Sequence, residues 1–169
     1  FLNAISVFDL IIFSILGVIF STIGLMSSFF HLANKKNAIK SLSQWQTSWL
    51  SREAIASIFC LSLVLGNIGW GFFQNMYIKE VGLLLFFLSL FTVFTTAMIY
   101  AQLKTVPSWN NILTPAIFIF AALTGGSILL TNYACLVTLL VFGTLQILFW
   151  YIADQGFEKK ETSVGTALG

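Results

Sequence analysis

The sequence predicts an all-α integral membrane protein, an antiparallel helical bundle with about five transmembrane helices. Three observations carry that prediction. Hydrophobic residues make up 58% of the 169-residue chain and charged residues only 8%, where a soluble domain has about a quarter charged. Mean hydropathy is +0.94, so most of the surface must meet lipid rather than water. The apolar residues fall into runs of roughly 20, the length that crosses a ~30 Å hydrocarbon core at ~1.5 Å per residue. Phe occurs 18 times in an aromatic fraction of 16%, which suits lipid-facing surfaces and interfacial belts. A net charge of +2 without a long basic patch excludes nucleic acid as a partner.

The first span is expected at about 7–30. Ser14, Gly17, Ser21, Gly24 and Ser28 alternate at spacings of three and four, one stripe on which a neighbouring helix can pack closely. Three residues further along the same stripe stands His31. The second span is expected at about 55–73, with Glu53, Ala56, Cys60 and Asn67 on one weakly polar face. Gln74–Glu80 reads as a short polar turn between antiparallel helices. The third span, about 81–103, carries Ser89, Thr92 and Thr96 on a small polar face, and Tyr100 near its end. Pro107 and Pro115 bracket the connection that follows; Pro107 stops a helix and Pro115 suits the first turn of the next. The fourth span, about 113–131, offers Ala121 with Gly125 and Ala122 with Gly126 for close contact. After a tight turn at Asn132 and Tyr133, the fifth runs over about 133–153, leaving 154–169 as a polar tail.

Lys35, Lys36, Lys40, Arg52, Lys104, Lys159 and Lys160 fall on one side of this topology and Lys79 on the other. The positive-inside rule then assigns the 31–53 connection to the cytoplasm. Cys60 and Cys135 lie within apolar runs with no second Cys or His at ligand spacing, so both read as packing residues and no metal site is expected. Phe1 is followed by neither a basic n-region nor a cleavage site, so no signal peptide is expected, nor a natural start at Phe1. The sequence shows no phosphate loop and no nucleophile constellation, and its single histidine excludes two-histidine ligation of a haem within this chain.

The chemistry concentrates in HLANKKNAIKSLSQWQTSWLSRE, residues 31–53. It holds the one histidine, three lysines, Trp45, Trp49 and the Arg52–Glu53 pair. His31 ends one span and Glu53 precedes the next, so antiparallel pairing would bring both to one membrane depth. The same residues also read as ordinary helix ends. A histidine there satisfies terminal carbonyls, and Ser51-Arg52-Glu53 reads as an N-cap followed by an acidic first turn. Trp45, Trp49, Trp109 and Tyr100 read first as interfacial anchors.

Four stretches, in this order and spacing, carry a family likeness: HLANKKNA followed by SLSQW, then SWLSREAIASIF, then YAQLKTVPSW, then LTPAIFIFAALTGGSIL. They resemble the membrane anchor subunit of bacterial dimethyl sulfoxide reductase and, more distantly, the anchors of polysulfide and nitrite reductases. The likeness covers most of the chain. The family pattern has eight transmembrane helices, so the resemblance implies a fragment that lacks the first and the last two. It implies a multi-pass subunit in the bacterial inner membrane that anchors an iron–sulfur electron-transfer subunit and a molybdopterin catalytic subunit. It further implies oxidation of menaquinol, with electrons passed to the nearest iron–sulfur cluster. Residues at the positions of His31 and Glu53 are associated with the quinol site in that family. Arg52 departs from the pattern, in which an uncharged polar residue precedes the glutamate, and a basic neighbour would change how Glu53 serves as a proton acceptor.

Quinol oxidation releases two electrons and two protons. An imidazole, which ordinarily titrates near neutrality, accepts one proton, and a partly buried carboxylate takes or relays the other. Tyr100 is a secondary candidate, as a donor to a quinone oxygen. Two other functions are consistent with the residues. One is a purely structural anchor or docking platform without quinol chemistry. The other is half of a small transporter or channel, against which the near absence of charge within the spans argues.

Overall fold

The computed structural model describes residues 6–30, 42–106, 108–130 and 134–159, with the side chains of 28, 29 and 156–159 excepted. His31, Lys35, Lys36, Lys40, Pro107, Asn132, Tyr133 and Lys160 lie outside the described residues. Every regular element among the described residues is helical: α1 (Val7–Phe30), a 3-10 turn (Leu42–Gln44), α2 (Trp49–Gln74), α3 (Lys79–Ala101), α4 (Thr114–Leu129) and α5 (Ala134–Lys159). Two compact units divide the chain, Phe1–Thr92 and Val93–Gly169, and α3 runs from the first into the second.

In the first unit, α1 starts at a reciprocal cap. Ser6 Oγ accepts from the Asp9 N–H at 3.1 Å, while the Ser6 N–H and hydroxyl donate to Asp9 Oδ2 at 3.2 and 2.7 Å. This is the capping-box arrangement with Asp in place of Glu, and it accounts for an acidic residue at the head of an apolar helix. α1 packs against α2. A Cβ added to Gly71 would lie 3.0 Å from Ile11 Cδ1, so the start of one helix meets the end of the other and the pair is antiparallel. The close approach therefore falls on Ile11 and Gly71. At Gly17, Gly24, Gly66 and Gly69 an added Cβ would meet nothing within 4 Å, so the small stripe of α1 is not the tight seam expected. Its members Ser14, Gly17 and Ser21 instead line an open cleft of about 290 Å³, shared with Cys60, Tyr77 and Ser89. Asn75, at φ 49° and ψ 33°, ends α2 in the left-handed conformation that asparagine tolerates. The turn beyond it brings the Tyr77 hydroxyl 3.2 Å from Ser14 Oγ.

In the second unit, α4 packs against α5. The contact runs through Ser127 and Thr138, whose hydroxyls are 3.0 Å apart, with Thr124 buried beside it. Gly125 and Gly126 meet nothing within 4 Å, so the expected small-residue pairs are not the α4 contact. Side-chain hydrogen bonds brace the described part of the connection from α3 to α4. Asn110 Nδ2 donates to the carbonyl of Ala101 at 2.6 Å, satisfying an acceptor that the end of α3 leaves open. The Thr114 hydroxyl donates to the Trp109 carbonyl at 2.8 Å, and Pro115 stands in the first turn of α4.

Three bounds differ from the sequence expectation. α2 begins at Trp49 rather than near 55, because Ser48 caps it and a helix can continue as polar turns beyond the hydrocarbon. α5 continues to Lys159 rather than ending near 153, since extending a formed helix into water adds a hydrogen bond per residue without a new nucleus. α4 has only 16 residues, about 24 Å of rise against a core of about 30 Å. Four stretches among the described residues, Val7–Ser27, Trp49–Gln74, Lys79–Ala101 and Ala134–Gln155, are long and apolar enough to cross a membrane. Large apolar side chains such as Phe20, Phe73, Leu83 and Leu140 stand exposed along them, the surface expected where lipid replaces water.

Candidate functional site

The start of α2 is built by a short run of local bonds. After the 3-10 turn, the N–H groups of Thr47 and Ser48 both donate to the Gln44 carbonyl, at 3.1 and 2.9 Å. Ser48 is extended (φ −110°, ψ 120°), and its side chain accepts from the Ser51 N–H. The cap is thus Ser48, three residues before the Ser51 that the sequence suggested, and Glu53 falls in the second turn of α2. At ~1.5 Å per residue, four residues beyond Trp49 set it about 6 Å along the helix axis.

Arg52 ties this turn to the helix. Its Nε donates to the Trp45 carbonyl at 2.9 Å and a terminal nitrogen donates to the Gln46 carbonyl at 2.7 Å. The guanidinium also stands 4.3 Å from the centroid of the Trp49 ring, a cation–π stack. The planar fork is what lets this one residue hold two successive carbonyls. These bonds give a structural role to the residue that departs from the resembled pattern. Trp45 itself is 56% exposed, as an interfacial anchor would be.

Glu53 is half-buried. Around it α2 buries polar groups: Ser51 is fully enclosed, Ser57 lies one turn below Glu53 on the same face, and Asn67 lies further along. The expected face of Ala56, Cys60 and Asn67 is inward, Cys60 only partly. Sequence reasoning missed Ser57. Its buried hydroxyl and both polar atoms of the Asn67 amide have no hydrogen-bond partner among the described residues. Each such group costs about 1–3 kcal/mol, which makes the inner face of α2 unusually polar for a membrane span. The i, i+4 step from Glu53 to Ser57 was the signal available in the sequence. His31, the other residue of the expected pair, lies outside the described residues.

Tyr100 sits in the second unit. Its ring meets Trp109 edge-on at 5.3 Å and Phe118 at 5.5 Å, an aromatic cluster across the connection formed by YAQLKTVPSW. No group of three or more His, Cys, Asp or Glu able to hold a metal ion occurs among the described residues.

The profile of the DMSO reductase anchor subunit (DmsC) matches residues 4–153. A curated relative, the C subunit of the sulfite dehydrogenase of Allochromatium vinosum, is 32% identical over 134 residues, covering 72% of this chain and 41% of that protein. The chain therefore spans about two-fifths of the length of the curated relative it matches. No solved structure matches. Since the profile runs from before α1 to within α5 and takes in both the capped start of α2 and the α3–α4 connection, the chain belongs to the DMSO reductase anchor subunit (DmsC) family.

Proposed function

We propose that this chain is part of the membrane anchor of a respiratory molybdoenzyme in the bacterial inner membrane, and that it oxidises menaquinol at the membrane end of α1 and α2. The observation that carries the reading is Glu53, a carboxylate half-buried in the second turn of a helix long enough to span the membrane. A half-buried carboxylate in the polar turns at the end of a membrane span is within reach of a membrane-soluble substrate, and proton transfer is chemistry that it can serve. Family membership supplies the context.

In this reading a quinol hydroxyl gives its proton to His31 and the other to Glu53. The two electrons leave for an iron–sulfur cluster in the partner subunit, and the quinone departs into the bilayer. The molybdopterin subunit then reduces the terminal acceptor. Arg52 holds the 45–48 turn against α2, which fixes the turn beside Glu53 rather than moving protons. The name of the sulfite dehydrogenase relative favours a second reading, the same proton and electron steps run in reverse, with quinone as the acceptor.

The test is made on the assembled complex. His31→Ala and Glu53→Gln should abolish quinol-dependent reduction while leaving assembly and turnover with an artificial donor intact. Quinol turnover that survives both substitutions would remove the site assignment.

A further inference from the structure

The middle of α5 holds a polar group that the chain itself does not satisfy. Gln146 is half-buried and stands 12 residues beyond Ala134 in the span Ala134–Gln155, which sets it about 18 Å into a helix of about 33 Å. Its side-chain amide makes no hydrogen bond among the described residues. The Asn111 Nδ2 and the Thr124 hydroxyl also lack partners, but those atoms are enclosed, whereas the Gln146 amide is not. At mid-depth neither water nor a lipid head group can take the partner's place, so an open amide is costly there. The surface around it is free. Leu139, Gly143, Gln146 and Trp150 follow at spacings of four, three and four, one stripe along α5 with the repeat of a helix-pair seam. Leu139 is 48% and Trp150 60% exposed, and a Cβ added to Gly143 would meet nothing within 4 Å. The contact with α4 lies on the adjoining face, through Thr138.

We infer that a second copy of this chain packs on this stripe, with the two Gln146 amides hydrogen-bonded to each other at mid-membrane. A carboxamide carries both donors and acceptors, so it is complementary to itself. Copies inserted in the same orientation and related by a two-fold axis along the membrane normal present Gln146 at equal depth, and each amide donates to the other's oxygen. The stripe carries no charge that would repel its own copy. Gly143, one turn away, lets the two backbones approach closely enough for the amides to meet. An acyl chain would cover the apolar part of the stripe but would leave the amide open. These residues are separate from His31 and Glu53, and the inference does not rest on quinol chemistry.

The experiment is energy transfer between donor-labelled and acceptor-labelled full chains in phosphatidylcholine vesicles, read as the protein-to-lipid ratio is raised. The label is carried by Ser108→Cys, with Cys60 and Cys135 replaced by Ser. This parent should show saturable transfer. Gln146→Leu should raise the half-saturation ratio about tenfold while its helical circular dichroism stays that of the parent, and Gln146→Asn, which keeps an amide, should recover most of the transfer. With only Cys60 and Cys135 replaced, Gly143→Cys leaves Gln146 in place and should give a disulfide-linked dimer on oxidation. Leu148→Cys, on the opposite face of α5, should not. Transfer in the parent no greater than random proximity gives, equal transfer in Gln146→Leu, or cross-linking from Leu148→Cys in place of Gly143→Cys would overturn the inference. Cross-linking of Gly143→Cys to another subunit of the assembled complex, in place of a second copy, would overturn it as well.

Discussion

At the residue scale, Arg52 shows how much a single residue organises. Two carbonyls and one indole hold its guanidinium, so its removal frees the 45–48 turn from α2. Arg52→Ala should lower stability by about 1 kcal/mol, the lower end for charge-assisted bonds because the group is partly solvated. Arg52→Lys should recover little, since an ammonium cannot present the paired fork. Melting in detergent reads the first effect, and faster proteolysis within 42–48 reads the loosened turn. The sequence displayed Arg52 as a charge beside a carboxylate, and that is how it was legible. Its bonds to Trp45 and Gln46 were not, because they depend on a tight turn at 44–48 whose geometry no spacing rule supplies. Ser57, Asn67 and Asn111 were hidden for a related reason. A serine or asparagine becomes informative only when burial is known, and periodicity does not report whether a polar atom has found a partner.

At the scale of the element, two contacts decide how helices and connections hold. Gly71 gives α1 room at Ile11, with an added Cβ at 3.0 and 3.2 Å from the Ile11 side chain. Gly71→Leu should cost about 1–3 kcal/mol through overpacking. Gly71→Ala should cost less and be partly relieved by Ile11→Val, which deletes the Cδ1 atom in the way; paired melting curves test both. Asn110→Ala removes the donor to the last carbonyl of α3 and should cost about 1 kcal/mol, read as faster hydrogen exchange through 102–113. The existence of the helices was legible because apolar runs of that length leave little choice in a membrane. The contact faces were less so. Small residues mark where helices can approach, yet α1 and α2 meet at Ile11 and Gly71, and α4 meets α5 through Ser127 and Thr138. A stripe such as Ser14, Gly17 and Ser21 equally well lines an open cleft.

At the scale of the whole molecule, the span lengths and the lysine distribution make a topology testable. With Cys60 and Cys135 replaced by Ser, single cysteines at Gln46 and Ser108 should react with an impermeant maleimide from one side of the membrane, and a cysteine at Asn75 from the other. Gln46 and Ser108 labelling from opposite faces would contradict a single crossing by each of α2 and α3. The all-α membrane class and the family were both legible, the first from composition and the second from the order of SREAIAS, TVPSW and TGG. The proposed quinol site rests in the sequence on that likeness alone, because a histidine and a glutamate at helix ends are also what ordinary helix capping produces. The central claim is that the α1–α2 end of this anchor touches quinol and is coupled to an iron–sulfur partner. Its most direct measurement is the electron paramagnetic resonance spectrum of the nearest cluster in the assembled complex, titrated with a quinol analogue. A saturable shift in wild type that disappears in Glu53→Gln and His31→Ala is the expected result; no shift in wild type, or a shift that both variants retain, would contradict the claim.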